Sequence, residues 1–330
     1  MTVVSCVESG ELERKTVRMV ESLRRFGGRF ADLDVVAVKP RMGPGLAPET
    51  RRRLSELGVR HVGIRPRTRY VWQHFTNKAQ AILAIEDTVD SESILWIDSD
   101  IIFLREPNDL ELRGDVDFLA SAPDDGLIGS AGADDPYDAF WARCAGLIGR
   151  NVDELPWLST GDGQRVRFYW NAGLFVYRRD SRFGLEFVTD FERAMGSGVA
   201  RNHAQVHGMD QVMLGLTVLR LGLRWEALSD ANNFPVISFL PHNFDGEKLA
   251  HVDVLHYHDS MSPALFPRLL DALRPAHPEV AEWLAPQGPI RDPASRVQRL
   301  ERAALRGTRA GRRRWYYARH GFRKGTQTVR

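Results

Sequence analysis

Asp98 and Asp100 stand two residues apart inside an otherwise apolar stretch, Ser93-Ile94-Leu95-Trp96-Ile97-Asp98-Ser99-Asp100-Ile101-Ile102-Phe103-Leu104. An apolar run of this length reads as a buried strand. In extended chain, residues two apart face the same side, so the spacing predicts two carboxylates pointing together with Ser99 turned away. Like charges held together out of water repel and lose hydration, at a cost on the order of several kcal/mol. A divalent cation relieves both penalties, and hard carboxylate oxygens suit Mg²⁺ or Mn²⁺. Helix capping by two loop aspartates is the alternative. It fits less well with the β-branched and aromatic residues that follow.

The elements that must position such a pair alternate along the chain. Strands are predicted at Thr2–Val7, Leu33–Val38 and Val59–Ile64, separated by helices around Leu12–Phe26 and Pro48–Leu57. Phe75-Thr76-Asn77-Lys78 opens a helix before the acidic strand, and a strand at Val116–Ala120 ends near Asp124. Residues 126–166 read as an excursion with one short helix. Phe168–Tyr177 reads as a strand with a turn at Asn171–Gly173. A helix over Phe183–Met195 is followed by a loop over 196–208. A further helix begins near Asp210-Gln211, and a late strand over Val252–Tyr257 contains His256. Strand–helix alternation predicts an α/β domain with a mostly parallel central sheet. The first strand-to-helix turn, Glu8-Ser9-Gly10, carries neither GxGxxG nor GxxxxGK[ST], which argues against a dinucleotide fold and a P-loop ATPase.

Open parallel sheets bind ligands outside the carboxyl ends of their strands. Asp98, Asp100, Asp124 and His256 fall at predicted strand ends, Asn171 at a break in a strand, and Asp210-Gln211 at a helix start. Each also has a purely structural reading. His256 could be a core histidine, Asp210 a helix-start carboxylate favoured by the dipole, Asn171 a bulge residue and Lys78 a solvated surface charge.

Composition is that of a globular protein, 43% hydrophobic and 27% charged. Cys6 and Cys144 form no CxxC, so neither a zinc site nor a disulfide framework is predicted. With no signal peptide or spanning segment evident, a cytoplasmic location is expected. Net charge is +2, but residues 291–330 hold 13 Lys/Arg against 2 Asp/Glu, and the rest of the chain 32 against 41. The predicted division is therefore a catalytic domain over 1–285 and a basic helical extension over 286–330. In the extension Trp315, Tyr316, Tyr317 and Phe322 interleave with Arg312, Arg313, Arg314, Arg319 and Arg323. That pattern suits an anionic membrane surface, with an inert solvated tail as the alternative; nucleic acid is disfavoured because the body shows no recognition module.

Six ordered segments resemble the nucleotide-sugar glycosyltransferases of the GT-A fold, nearest to family 8 and its glycogenin-type branch. Phe75-Thr76-Asn77-Lys78 is similar to the helix start before the family's metal strand, and Ile94–Leu104 to its V-L-Y-L-D-x-D-I-I-V-L. Ala120–Asp124 is similar to A-A-x-x-D, Trp170–Val176 to F-N-S-G-V-M-V, Asp210-Gln211 to D-Q, and Val254–Tyr257 to I-I-H-F. The resemblance implies that Asp98, Asp100 and His256 ligate Mn²⁺ or Mg²⁺ against the donor diphosphate. It implies that Lys78 approaches the donor and that the Asp98-Ser99-Asp100 stretch and Asn171 bind the nucleotide-sugar. Asp124, Asp210 and Gln211 then serve the sugar and acceptor side. The implied reaction moves a hexose from a nucleoside diphosphate donor, with uridine as the default base, to a hydroxyl of a glycan or lipid-linked glycan, with retention. Two features depart from the family: the Glu8-Ser9-Gly10 turn, and the absence after His256 of the lysine of G-x-x-K-P-W, where this chain has His258-Asp259-Ser260-Met261-Ser262-Pro263. The rivals are a non-catalytic sugar-nucleotide-binding protein of the same fold and a DxD phosphohydrolase with Asp98 as nucleophile.

Overall fold

The computed structural model describes residues 1–126 and 128–322. Its strands, in chain order, are β1 (Thr2–Cys6), β2 (Asp34–Lys39), β3 (Val59–Gly63), β4 (Ser93–Ile97), β5 (Ile101–Phe103) and β6 (Phe118–Ala120). They continue with β7 (Trp157–Ser159), β8 (Arg165–Arg167), β9 (Leu174–Arg178), β10 (Trp225–Ala227), β11 (Phe234–Pro235) and β12 (Val254–His256). The helices are α1 (Glu11–Phe26), α2 (Pro48–Glu56), α3 (Thr76–Glu86), α4 (Asp138–Leu147), α5 (Phe183–Ser197) and α6 (His203–His207). After these come α7 (Met209–Leu221), α8 (Gly246–Leu249), α9 (Phe266–Leu273), α10 (Pro278–Leu284) and α11 (Arg296–Arg319). The chain divides into two compact units.

The first unit comprises Met1–Ile64, Leu95–Glu111 and Leu228–Arg302. Here β4, β1, β2 and β3 lie side by side in that order. β1 and β2, and β2 and β3, run parallel, with Val36 opposite both Val4 and Arg60. Every residue of β1 is buried, as a strand covered on both faces requires. The turn into α1 passes through Gly10 at φ +119°, a conformation open to glycine, and a Cβ there would also strike the Arg302 guanidinium. Glu13 closes this turn: one carboxylate oxygen accepts the Gly10 N–H at 3.0 Å and the other the Ala47 N–H at 2.7 Å. α1 is thereby fixed to two loops at its amino end.

The uninterrupted strand predicted through Asp98 and Asp100 is instead two strands with a corner between them. β4 stops at Ile97, the chain turns over residues 98–100, and β5 leaves for a second sheet of order β11-β12-β5. The reason is that the two halves of the apolar run have different partners. β5 pairs antiparallel with β12 above a core of Ile102, Leu255, Tyr257, Leu269, Leu273 and Leu284. Ser99 fixes the corner: buried, it donates its hydroxyl to the Cys6 carbonyl at 2.6 Å, at the end of β1. Strand alternation therefore does not govern how Asp98 and Asp100 are directed.

The second unit comprises Arg65–Ile94, Leu112–Ala227 and Ala303–Arg330. β10, β6 and β9 adjoin in that order, β10 parallel to β6 and β9 antiparallel to it. α3, α5 and α7 pack successively against one another. Gly215 lets α7 approach the 168–170 segment, since a Cβ would lie 2.9 Å from the Tyr169 Cα. Regular strand begins only at Leu174, because the chain turns at Asn171–Gly173. The 126–166 excursion holds α4 and the β7–β8 hairpin, and the predicted 196–208 loop contains the short α6.

The basic stretch is helical through Arg319. In the second unit Tyr316 is buried, its hydroxyl donating to the Met195 carbonyl at 2.9 Å and its ring edge-on to Tyr70. Arg323 and the rest of 323–330 lie outside the described residues. The chain is thus α/β, its principal strand pairs mostly parallel and flanked by helices, with a basic helix at its carboxyl side.

Candidate active site

In the first unit the carboxyl ends of β1 and β4, the 98–100 corner and the end of β12 come together. The β5–β12 register sets His256 opposite Ile101, and the Tyr257 N–H binds the Asp100 carbonyl at 2.9 Å. These two facts bring the His256 imidazole to the Asp100 side chain, Nε2 to Oδ1 at 3.2 Å. The other carboxylate oxygen faces Lys15 of α1, Nζ to Oδ2 at 3.3 Å. Burial alone would raise the Asp100 pKa, but His256 and then Lys15 outweigh it and hold the carboxyl well below its ordinary range. Asp100 is therefore an anion.

A third titratable group completes the cluster: ligand atoms of Asp100, His256 and His258 all lie within 4.8 Å of one another. His258 has φ +44°, uncommon for a residue with a Cβ. That backbone folds its ring back onto His256, with centroids 3.7 Å apart and planes 22° apart. Burial, assisted by His256, lowers the His258 pKa to about 3, so the ring is neutral with a lone pair available. A carboxylate with imidazole nitrogens is a donor set that fits Mn²⁺ better than Mg²⁺, which takes oxygen almost exclusively.

Asp98 lies outside that three-residue group; its Oδ1 accepts the Trp96 indole N–H at 2.8 Å. Ser99, expected to turn away from the carboxylates by strand spacing and counted in the nucleotide-sugar-binding stretch only by the resemblance, directs its hydroxyl to the Cys6 carbonyl and shapes the corner.

In the second unit four of the sequence-predicted residues gather at the Asn171–Gly173 turn. Asn171 accepts the Gly173 N–H at 2.8 Å through its amide oxygen and donates to Asp124 Oδ2 at 3.0 Å. The bulge role and the link to Asp124 hold together. Lys78 on α3 donates to the Ala172 carbonyl and faces Asp210 of α7, Nζ to Oδ2 at 3.5 Å. Both side chains are almost wholly buried, at 5% and 2% exposure. Lys78 is thus no solvated surface charge; its ammonium reaches inward to Asp210. Gln211, next on α7, is half-buried.

Sequence reasoning missed Lys15 and His258. The alternation His256-Tyr257-His258 carries a weak signal for the second. Lys15 carries none, because only the packing of α1 on β5, tied by Ser22 Oγ to the Phe103 N–H at 3.0 Å, delivers it.

The site is an acidic and imidazole corner at the strand ends of an α/β scaffold. The chain belongs to the family described as the Rhodobacterales glycosyltransferase domain, whose model matches residues 3–222. No curated protein matches the sequence. Among solved structures, the bifunctional glycosyltransferase WbbM is similar at 12% identity and TM-score 0.47, over 86% of this chain and 51% of that one. The glycosyltransferase GlyE of Streptococcus pneumoniae TIGR4 is similar at 18% and 0.46, over 89% and 66%. The galactosyltransferase LgtC, in complex with donor and acceptor sugar analogs, is similar at 16% and 0.43, over 80% and 89%. The chain therefore spans about half the length of WbbM and 66% of GlyE.

Proposed function

We propose that this glycosyltransferase is metal-dependent and transfers a hexose from a nucleoside diphosphate sugar, with a uridine donor as the default, to a hydroxyl of a glycan or lipid-linked glycan. The observation that supports this most is the Asp100–His256 pair at the corner, with Asp98 beside it in sequence and His258 stacked on it. Asp98, Asp100 and His256 are the ligand set we assign to Mn²⁺ or Mg²⁺. Once bound, the ion would neutralise the charge left on the departing diphosphate. The sugar carbon passes through an oxocarbenium-like state, and carboxylate or amide oxygens stabilise it. We give that role to Asp210 and Gln211, and orientation of the sugar to Asp124 and Asn171. Lys78, expected to approach the donor and offset its charge, contributes here by facing Asp210 and fixing its position. Retention, the family 8 and glycogenin-type branch, and the division into 1–285 and 286–330 belong to the same reading. A panel of nucleotide-sugars with Mn²⁺, read by thermal shift and by slow donor hydrolysis, tests it.

We also place the enzyme at the cytoplasmic face of an anionic membrane, where a lipid-linked acceptor would be found. Among the described residues no helix is long and apolar enough to cross a membrane. α11, however, leaves Val297, Leu300 and Trp315 exposed at 64%, 71% and 62%. Helical spacing puts Val297, Leu300, Ala304 and Trp315 along one stripe, turned away from the side that buries Tyr316, with Arg296, Arg312, Arg314 and Arg319 flanking it. Each basic residue near an anionic surface contributes about 1 kcal/mol. The full chain is expected to sediment with phosphatidylserine-containing vesicles at low salt, and Leu300→Ser with Trp315→Ser to reduce this at least fivefold. Unchanged partitioning of the double variant would remove the membrane role.

A further inference from the structure

We infer that Lys15 is a counter-cation that exchanges partners: it neutralises Asp100 in the free enzyme and moves to the donor's diphosphate when the site is loaded. The inference rests on the transferase reading above and adds a residue to it.

Lys15 Nζ lies 3.3 Å from Asp100 Oδ2 and 3.4 Å from the His258 carbonyl, 5.6 Å from the centre of the Tyr257 ring. With His256 on Asp100 Oδ1, both carboxylate oxygens are engaged. A dication held by Asp100 and His256 would stand within a few ångströms of this ammonium. Like charges that close repel in a part-buried site, so a dication bound at the carboxylate favours withdrawal of the ammonium.

What can move is the side chain. The amino end of α1 is fixed by Glu13 to Gly10 and Ala47 and by the Thr16 hydroxyl to the Cys6 carbonyl at 3.0 Å. The Lys15 stem is flexible, carries a compact charge with three rotatable donors, and is 19% exposed. Swung off Asp100, it stays beside the 98–100 corner, where a diphosphate held against that carboxylate presents its oxygens. The segment after His256, from Tyr257 to Pro263, contains no lysine or arginine. That segment supplies no cation, and α1 does. In the transfer, the sugar C1–O bond breaks with its electron pair remaining on the diphosphate oxygen. The acceptor oxygen bonds to C1 and its proton leaves to the diphosphate. Lys15 exchanges no proton; it offsets the negative charge that remains. Glu13 and Thr16 keep the helix in register, so the exchange needs no backbone motion.

The experiment compares full-length wild type, Lys15→Met and Lys15→Gln. Binding of Mn²⁺ alone is followed by the electron paramagnetic resonance signal of the free ion. Binding of UDP, GDP and ADP at saturating Mn²⁺ is followed by calorimetry. Loss of the competing ammonium should tighten Mn²⁺ binding at least threefold, and loss of the phosphate partner should weaken nucleoside diphosphate binding about tenfold. A structural role alone would not move the two affinities in opposite directions. If wild type binds both ligands and the variants match it in either, the exchange is wrong and the transferase reading stands. If wild type binds neither Mn²⁺ nor any of the three nucleotides, both fall together.

Discussion

Asp100→Asn is expected to lower kcat/KM by about 10³-fold while leaving the fold intact. Asp100 meets both His256 and Lys15, at 3.2 Å and 3.3 Å. An amide is nearly isosteric but is neutral and a poor ligand for a hard cation. Losing the ion removes several kcal/mol of stabilisation from the leaving diphosphate, and about 1.4 kcal/mol corresponds to a factor of ten. The side chain sits on a turn at 25% exposure, so no cavity is opened in the core. Asp98→Ala should act in the same direction, with a smaller loss if Trp96 rather than the ion is its principal partner. Turnover of Asp100→Asn within threefold of wild type, together with unchanged Mn²⁺ titration, would exclude the metal role.

Lys78→Met is expected to be the most destabilising single change at the predicted site. Lys78 and Asp210 are both buried and face each other at 3.5 Å. Removing the ammonium leaves the Asp210 carboxylate buried without its cation, which costs about 3–5 kcal/mol. For a unit of this size each kcal/mol shifts the melting temperature by roughly 2–4 °C, so a fall of about 6–20 °C should be seen. Asp210→Asn in the Lys78→Met background should restore much of it, because two neutral partners replace one stranded charge. That recovery separates an ion pair from a packing role. A loss in the double variant equal to the sum of the single losses would show that the pair is not coupled.

Most of the α/β frame was legible because its strands are short β-branched runs and its helices carry apolar residues at helical spacing, as in Thr2–Cys6 and Glu11–Phe26. The glycosyltransferase family was legible because the acidic, Asn171-centred, Asp210-Gln211 and His256 segments occur in order. What the sequence misrepresented is the corner. A continuous apolar run cannot show that Ile94–Ile97 and Ile101–Phe103 join different sheets, since that depends on β12, whose residues lie about 150 positions later. The strand alternation that put Asp98 and Asp100 on one side fails at the turn that Ser99 fixes to Cys6. Lys78 was legible as a residue but not in its direction, because a lysine on a helix gives no local sign of burial. Lys15 was invisible, since its neighbour Asp100 is 85 residues away.

The central claim is that the 98–100 corner, with His256, binds a nucleoside diphosphate through a divalent ion. The most direct measurement is the melting temperature of the full chain with a panel of nucleotide-sugars, in Mn²⁺ and in EDTA. At a hundredfold excess over Kd, a ligand stabilises the native state by about 2.7 kcal/mol, which should appear as a rise of roughly 5 °C for at least one donor in Mn²⁺, lost in EDTA and in Asp100→Asn. A rise of the same size in EDTA, or no rise with any donor, would contradict the account.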